Sequence, residues 1–475
     1  MGAFYTPVDV AERLVAIAVD GVGDHDDSDR SPLVCDPSCG DGVFLLAMGR
    51  ALEGRGLDRR FIARELLWGM DVDAIAVDAA RHAITAWAGV SPGRHLVVAD
   101  GLADNGWSAR FDVVVGNPPF LNQLERATVR AAPTRWDASA GAYTDTAFLF
   151  LLAGLDLARD GGRVVLVQPQ SVAAARDAQA VRAEVQARGA VTGMWTCDEL
   201  VFDAHVRVCA PVLVRAAPTP DVVHRWQGRA VAPATAAAGR NVATWSHLLV
   251  RSDEPVPVEL AATAPLGSIA TATAGFRDQF YGLAGHVVDR EVADERGWPR
   301  LVTCGAIDPG VCRWGARPVR FAGQRWLHPR VDAAGIADDA VRRWVAERLV
   351  PKVVLATQTK VLEAAVDVDG SWVPSTPVIA VHAPADALFR IGAVLLAPPV
   401  TAWAASRYTG TALASNAIKL SARQVLEIPL PTDGAAWEHG ATALVAGDVL
   451  EAGRHMTRAY GAGDDVFDWW AARAQ

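Results

Sequence analysis

The stretch Val34-Cys35-Asp36-Pro37-Ser38-Cys39-Gly40-Asp41-Gly42-Val43-Phe44-Leu45 decides the fold. A short apolar run enters a turn with two glycines and leaves as an amphipathic segment, the pattern of a strand, a glycine turn and a helix. Glycine lets backbone approach a ligand where a Cβ would stand in the way. The helix start leaves N–H groups free at the carboxyl edge of a sheet, where open α/β folds bind ligands. A glycine turn alone is often only a tight connection, but Gly69-Met70-Asp71-Val72-Asp73 places an acid at the end of the next predicted strand. A carboxylate there accepts both hydroxyls of a ribose. Val97-Val98-Ala99-Asp100 ends a third strand in an acid suited to an amino group of the same ligand. The three strand ends together predict a nucleoside-containing cofactor, although the glycine spacing is not the dinucleotide GxGxxG.

Outward from this centre, short apolar runs alternate with amphipathic stretches, the signature of βαβ units and a mostly parallel sheet. Strands are predicted at residues 33–35, 66–70, 95–99, 111–115, 163–168 and 206–214. Helices are predicted at 8–19, 44–52, 74–87 and 145–158. The expected organisation is a Rossmann-like α/β catalytic domain over 1–220, an Ala/Pro/Thr-rich linker over 221–240, a mixed β-rich recognition domain over 241–432 and a helical segment over 433–475.

The 475 residues are 51% hydrophobic and 21% charged with a net charge of −9, which excludes a disordered chain. Apolar runs such as Ile391–Val400 and Phe148–Leu155 fall short of the roughly 20 residues needed to cross a bilayer, so a soluble, cytoplasmic protein with no membrane partner is expected. Six cysteines, with no CxxC paired to a HxxxH or to another CxxC, predict packing thiols and no metal site. The acidic balance argues against nucleic acid until it is divided along the chain. Residues 241–430 carry 19 basic and 18 acidic side chains, and within 300–330 six arginines face only Asp308. Arg300, Arg313, Arg317, Arg320, Arg325 and Arg330 therefore make a candidate phosphate-facing strip.

Phe111-Asp112-Val113-Val114-Val115-Gly116-Asn117-Pro118-Pro119-Phe120 carries the chemistry. The two prolines fix φ and hold the turn after the strand rigid. The side-chain oxygen of Asn117 and the carbonyl of Pro118 can accept from one exocyclic amino group, and Phe120 can stack on the ring that bears it. An aromatic amine is a poor nucleophile because its lone pair is delocalised. Two acceptors localise that pair, and a sulfonium methyl group placed opposite then suffices for in-line transfer.

In this order the motifs resemble the S-adenosylmethionine-dependent amino-methyltransferases, and among them the gamma-class N6-adenine DNA methyltransferases similar to Taq-type restriction-modification methylases. The resemblance is close over about residues 1–215. Phe4-Tyr5-Thr6-Pro7 resembles the N-terminal cofactor motif and Asp36 to Phe44 the methionine-binding loop, while Asp71 resembles the ribose acid and Asp100 the adenine-contacting acid. The resemblance implies S-adenosyl-L-methionine as cofactor, bound by Tyr5, Thr6, Pro7, Asp36, Pro37, Ser38, Cys39, Gly40, Gly42, Asp71, Val72, Asp100 and Gly101. It implies a catalytic set of Asn117, Pro118, Pro119 and Phe120, with Phe148 holding the flipped adenine by an edge contact. Tyr143 to Phe148, Gly161 to Pro169 and His205 to Val214 resemble the later segments of the catalytic domain. Residues 352–358 and 417–431 look like the closing part of Taq-type or Type I specificity domains. Two departures stand out: the catalytic loop ends in Phe where Tyr is common, and the glycine loop reads Cys-Gly-Asp-Gly.

The expected function is site-specific transfer of a methyl group to N6 of an adenine flipped out of duplex DNA, in restriction-modification or a related defence system. Arg313, Arg317, Arg320, Arg325, Lys352, Lys360 and Lys419 are the candidate DNA contacts. Only three residues precede Phe4, so no N-terminal nuclease is expected in this chain, and restriction would fall to a separate nuclease or defence-system protein. Two alternatives compete: methylation of an RNA base or a protein glutamine, and a non-catalytic DNA-binding methyltransferase-like subunit.

Overall fold

The computed structural model describes residues 6–20, 22, 31–120, 136, 144–197, 199, 201, 206–239, 243–249, 258–261, 263–275, 277–291, 297–408 and 417–474. Two compact units divide the chain, Met1–Ser252 and Asp253–Gln475.

The first unit is built on a ten-stranded sheet. Its strands are β1 (Val34–Asp36), β2 (Leu67–Asp71), β3 (Leu96–Val98), β4 (Phe111–Gly116), β5 (Ala158–Leu166), β6 (Gln168–Pro169), β7 (Gly189–Cys197), β8 (Val208–Arg215), β9 (Val222–Gln227) and β10 (Ala232–Ala238). The spatial order is β10-β9-β7-β8-β5-β4-β1-β2-β3, with β6 paired to β8. From β3 to β5 all neighbours are parallel, and β8 runs antiparallel to both β5 and β7. This is the expected Rossmann-like architecture. The chain leaves β1 towards β2 and β3, then returns to place β4 on the other side of β1. Open α/β sheets bind ligands outside the carboxyl ends of the strands at such a reversal.

The helices are α1 (Val8–Val19), α2 (Val43–Gly54), α3 (Ala74–Ala88), α4 (Thr146–Leu157) and α5 (Gln179–Arg188). β4 is buried along its whole length, as a central parallel strand covered on both faces must be. Val113 and Val115 enter the core shared with Val10 and Leu14 of α1, whereas Val114 enters the core shared with Leu149 and Leu152 of α4. This alternation follows from the two-residue period of a strand.

Residues 222–238 are no linker. They form the hairpin β9–β10, and β9 extends the sheet by parallel pairing with β7. Its turn grips α1: Arg229 pairs with Asp9 at 3.0 and 3.1 Å, and Arg13 donates to the carbonyl of Ala230 at 2.9 Å. The Trp195 indole donates to the Gly228 carbonyl at 2.9 Å.

The second unit holds two four-stranded sheets. In one, β11 (Thr271–Ala274), β22 (Ile379–His382), β19 (Lys352–Leu355) and β20 (Ala364–Asp367) lie in that order. In the other the order is β12 (Val287–Asp289), β18 (Pro329–Val331), β13 (Arg300–Val302) and β21 (Trp372–Pro374). Two small hairpins are formed by β14 (Ile307–Asp308) with β15 (Val311–Cys312) and by β16 (Val319–Phe321) with β17 (Gln324–Trp326). The helices are α6 (Arg277–Ala284), α7 (Asp339–Arg348), α8 (Leu388–Leu396), α9 (Pro398–Tyr408), α10 (Gly434–Val445), α11 (Val449–Ala459) and α12 (Asp464–Ala471).

The expected division at 432 is not observed, because Trp437, Leu444 and Met456 of α10 and α11 bury in the same core as Ile391 and Leu395 of α8 and Val353 of β19. The Trp437 indole also donates to the Arg390 carbonyl at 2.8 Å. Among the described residues no single helix is long and apolar enough to cross a membrane. Residues 385–396 and 398–408 pass such a test only as a pair, bent by 58°, and both helices lie in this core.

Candidate active site

Four strand ends meet at the reversal. The Asp36 carboxyl, at the end of β1, is 1% exposed and accepts from the Ser38 N–H at 3.0 Å. Burial raises its pKa from the ordinary 3.8 to about 8. Among the described residues no lysine or arginine pairs with it. One strand over, the Asp71 carboxylate accepts from the N–H groups of Gly40 and Asp73, both at 3.0 Å, while Cys39 N–H donates to the Met70 carbonyl at 2.9 Å. The glycine loop is thereby tied to the end of β2. Gly42 caps α2 at φ +88°, and a Cβ there would lie 3.0 Å from that of Ala80 on α3. Gly40, at φ +51°, has nothing within 4 Å of where its Cβ would stand, which leaves its loop face open. Beside it Val72 is 68% exposed, an apolar side chain held out at the site's rim. Burial pushes the Cys39 thiol up, which makes it a packing group and not a reactive one.

The end of β3 reaches the same place. Asp100 accepts from Leu102 N–H at 2.9 Å, and a Cβ on Gly101 would fall 2.1 Å from the Pro37 carbonyl oxygen, so only glycine allows the two loops to touch. The Asn117-Pro118 loop is joined through Gly116, where a Cβ would come 2.4 Å from Asp36 Oδ1. Gly116 had no assigned role in the sequence, and the only signal was a glycine directly before Asn-Pro-Pro. Beyond it, Asn117 Nδ2 donates to Thr6 Oγ1 at 3.1 Å, which brings Thr6-Pro7 onto the Asn117 loop. Pro118 is buried, and Phe120 is half-buried against the core that includes α1.

Two expected site residues stand differently. Tyr5 lies outside the described residues, as does Tyr143. Phe148 is 2% exposed within the core that holds Leu149 and Leu152, so it offers no face to a base. Its helix, TAFLFLLAGLDL, is apolar all round and almost every side is buried.

Of the candidate DNA contacts in the second unit, Lys352 is excluded. It is fully buried, and its ammonium pairs with Asp367, directly opposite on β20. Arg313 and Arg317 both pair with Asp308, and Arg330 is buried with its guanidinium on the carbonyls of Arg290, Glu291 and Trp298. What remains is one exposed like-charge pair and two further exposed lysines. Arg320 and Arg325 are direct cross-strand partners on β16–β17, and Lys360 and Lys419 follow the bridged residues Thr359 and Ile418. None of these four has a carboxylate partner among the described residues. No group of three or more His, Cys, Asp or Glu among the described residues is placed to hold a metal ion.

Residues 1–223 match the family model N-6 DNA Methylase. No curated protein matches the chain. Among solved structures, the DNA complex of the Type IIL restriction-modification enzyme MmeI superposes with a TM-score of 0.59 at 12% identity, covering 98% of this chain and 74% of that one. A nuclease-deletion mutant of the Type ISP restriction-modification enzyme LlaGI, bound to a DNA substrate mimic, gives 0.57 at 10% identity over 94% of this chain and 55% of that one. A type I restriction-modification methyltransferase subunit from Streptococcus thermophilus is 22% identical over 47% of each chain, with a TM-score of 0.37. This chain thus spans about half the length of that subunit. At these identities the likeness is one of fold.

The family's cofactor is S-adenosyl-L-methionine, and the site fits it. The open face at Gly40 admits a ligand against backbone, Asp71 stands ready for ribose hydroxyls, and the buried Asp36 carboxyl suits a cationic ligand. Motif order, strand-end geometry and family model agree in making residues 1–223 similar to the N-6 DNA methylase family.

Proposed function

We propose that the chain is a site-specific DNA methyltransferase that modifies N6 of an adenine turned out of the duplex, the first unit performing the chemistry and the second reading the target. The observation that carries this reading is the Asn117-Pro118 loop at the end of a wholly buried strand, joined through Gly116 to the Asp36 carboxyl of the cofactor loop. S-adenosyl-L-methionine, when bound, supplies an electrophilic methyl group. Asn117 Oδ1 and the Pro118 carbonyl accept the two N–H groups of the target amine and draw its lone pair out of conjugation. Phe120 stacks on the ring and excludes water from it. Unstacking a base costs a few kcal/mol, which these pocket contacts offset.

Duplex DNA as substrate is supported by the likeness, across both units, to two enzymes whose structures contain DNA or a DNA mimic. Like charges placed directly opposite each other on a hairpin are unfavourable without a partner. Arg320 and Arg325, directly opposite on their hairpin, are therefore proposed as phosphate contacts, with the exposed Lys360 and Lys419 beside them, and Arg313 and Arg317 join them only by giving up Asp308. Restriction, where it accompanies this activity, is assigned to a nuclease or defence-system partner.

The test is single-molecule, methylation-sensitive sequencing of DNA from a methylation-deficient host expressing the chain, beside Asn117→Ala. The expected result is N6-methyladenine at one short motif, absent with Asn117→Ala. Cofactor binding without any modified adenine would refute the substrate and move RNA or protein into its place.

A further inference from the structure

Asn117 and Thr6 lie far apart in sequence and meet through one hydrogen bond, in which the asparagine's amide nitrogen is the donor. A primary amide carries its nitrogen and oxygen on two arms of one plane, so holding one arm directs the other. The prolines after Asn117 fix the backbone but leave this side-chain torsion, which is broad and nearly two-fold. The partners of the two arms therefore decide whether an acceptor or a donor faces the substrate.

Thr6 is suited to hold one of them. It is 7% exposed, and it precedes Pro7, whose carbonyl accepts from Val10 and Ala11 N–H at 3.1 and 3.0 Å, so its hydroxyl rides on the first turn of α1. That helix is fixed at both ends. Arg229 holds Asp9 in its first turn and Arg13, midway along it, donates to the Ala230 carbonyl, while Arg55 donates to the carbonyls of Val19, its last residue, and of Val22 just beyond at 2.7 and 2.8 Å, and Arg163 to that of Ile17 at 3.2 Å. A loosely held threonine would be ordered by the asparagine. Here the rigid partner is the threonine.

We infer that Thr6 is a positioning residue, holding the Asn117 amide so that Oδ1 is presented as acceptor to the target amine. The inference rests on the reading of Asn117 given above. It differs from a cofactor contact in what it predicts: loss of the hydroxyl slows transfer at saturating cofactor and leaves cofactor affinity in place.

The experiment measures single-turnover transfer from tritiated S-adenosylmethionine to unmethylated plasmid DNA, with both saturating, and cofactor affinity by calorimetry. The proteins are wild type, Thr6→Val, Thr6→Ala, Thr6→Ser and Asn117→Ala. Thr6→Val and Thr6→Ala should each slow transfer about tenfold, the upper range for one neutral hydrogen bond, with cofactor affinity within about twofold. Thr6→Ser, which keeps the oxygen, should transfer within about threefold of wild type. A wild-type rate in Thr6→Val, or a loss confined to cofactor affinity, overturns the inference. Cofactor binding lost in all three Thr6 variants overturns it in favour of a structural role. If wild type itself transfers nothing to DNA, the proposed function fails at its substrate, and the inference, stated for the DNA amine, falls with it.

Discussion

Asp36 is expected to make cofactor binding dependent on pH, by an amount that follows from its burial. A carboxyl with a pKa of about 8 keeps its proton at pH 7, where roughly nine-tenths of the free protein would hold it neutral. A sulfonium cation bound nearby favours the ionised form, so binding must expel that proton. At pH 7 the expected release is about 0.9 proton and the penalty about 1.4 kcal/mol. Affinity should rise about tenfold from pH 6 to 7, less steeply to pH 8, and hardly at all beyond pH 9. Calorimetry in buffers of differing ionisation heat counts the protons. Asp36→Asn supplies the baseline, removing protons exchanged by the cofactor itself. Equal release by the two proteins at pH 7 would refute the reasoning, because it would mean that the carboxyl is already ionised before the cofactor arrives.

The same group bears on stability. A carboxyl raised on folding keeps its proton after the unfolded chain has released it, so the free protein loses stability as pH rises from about 4 to about 8. Urea unfolding at pH 5.5 and 7.5 should show the stability of Asp36→Asn gaining on wild type by about 2.5 kcal/mol over that interval. Gly116→Ala drives a methyl group onto the Asp36 carboxyl and should weaken cofactor affinity at least about tenfold by calorimetry, a penalty of the size overpacking brings. Lys352→Met leaves Asp367 buried without its cation and should cost roughly 3–5 kcal/mol in urea unfolding of the second unit, with the salt dependence of DNA binding unchanged below the transition. Replacing both Arg320 and Arg325 by Ala should do the reverse. It should stabilise the hairpin by up to about 1 kcal/mol, and the logarithmic salt slope of duplex binding should fall by about 2.

The sequence makes the parallel half of the first unit legible because each strand there is a short apolar run closed by a polar turn. The helix predicted over 8–19 is observed over Val8–Val19, and the acids Asp36, Asp71 and Asp100 stand near strand ends that meet. β10 escapes notice for a physical reason. Its segment APATAAA is mostly exposed, has no alternation, and is a strand only because β9 pairs with it. Lys352 misleads similarly, since its partner Asp367 lies on a neighbouring strand that no local pattern announces. Phe148 lies in a run so uniformly apolar that no periodicity tells which side chain faces a ligand. The meeting of Thr6 with Asn117, and the need for glycine at 116, exist only once the loops are placed in space.

The hairpin turn that grips α1 sets a schedule for synthesis. Once α1 has left the ribosome, it finds Arg229 and Ala230 only after more than two hundred further residues have been added. At about 5–20 residues per second that is a wait of roughly ten to forty seconds. Until then the helix that carries Thr6 lacks one of its two anchors. The nascent chain can assemble its central strands first and receive a secured catalytic loop last. A gene fragment ending at residue 215, where the apolar runs of the sequence suggest a natural stop, would encode the sheet's parallel half and leave its amino-terminal helix without that clasp.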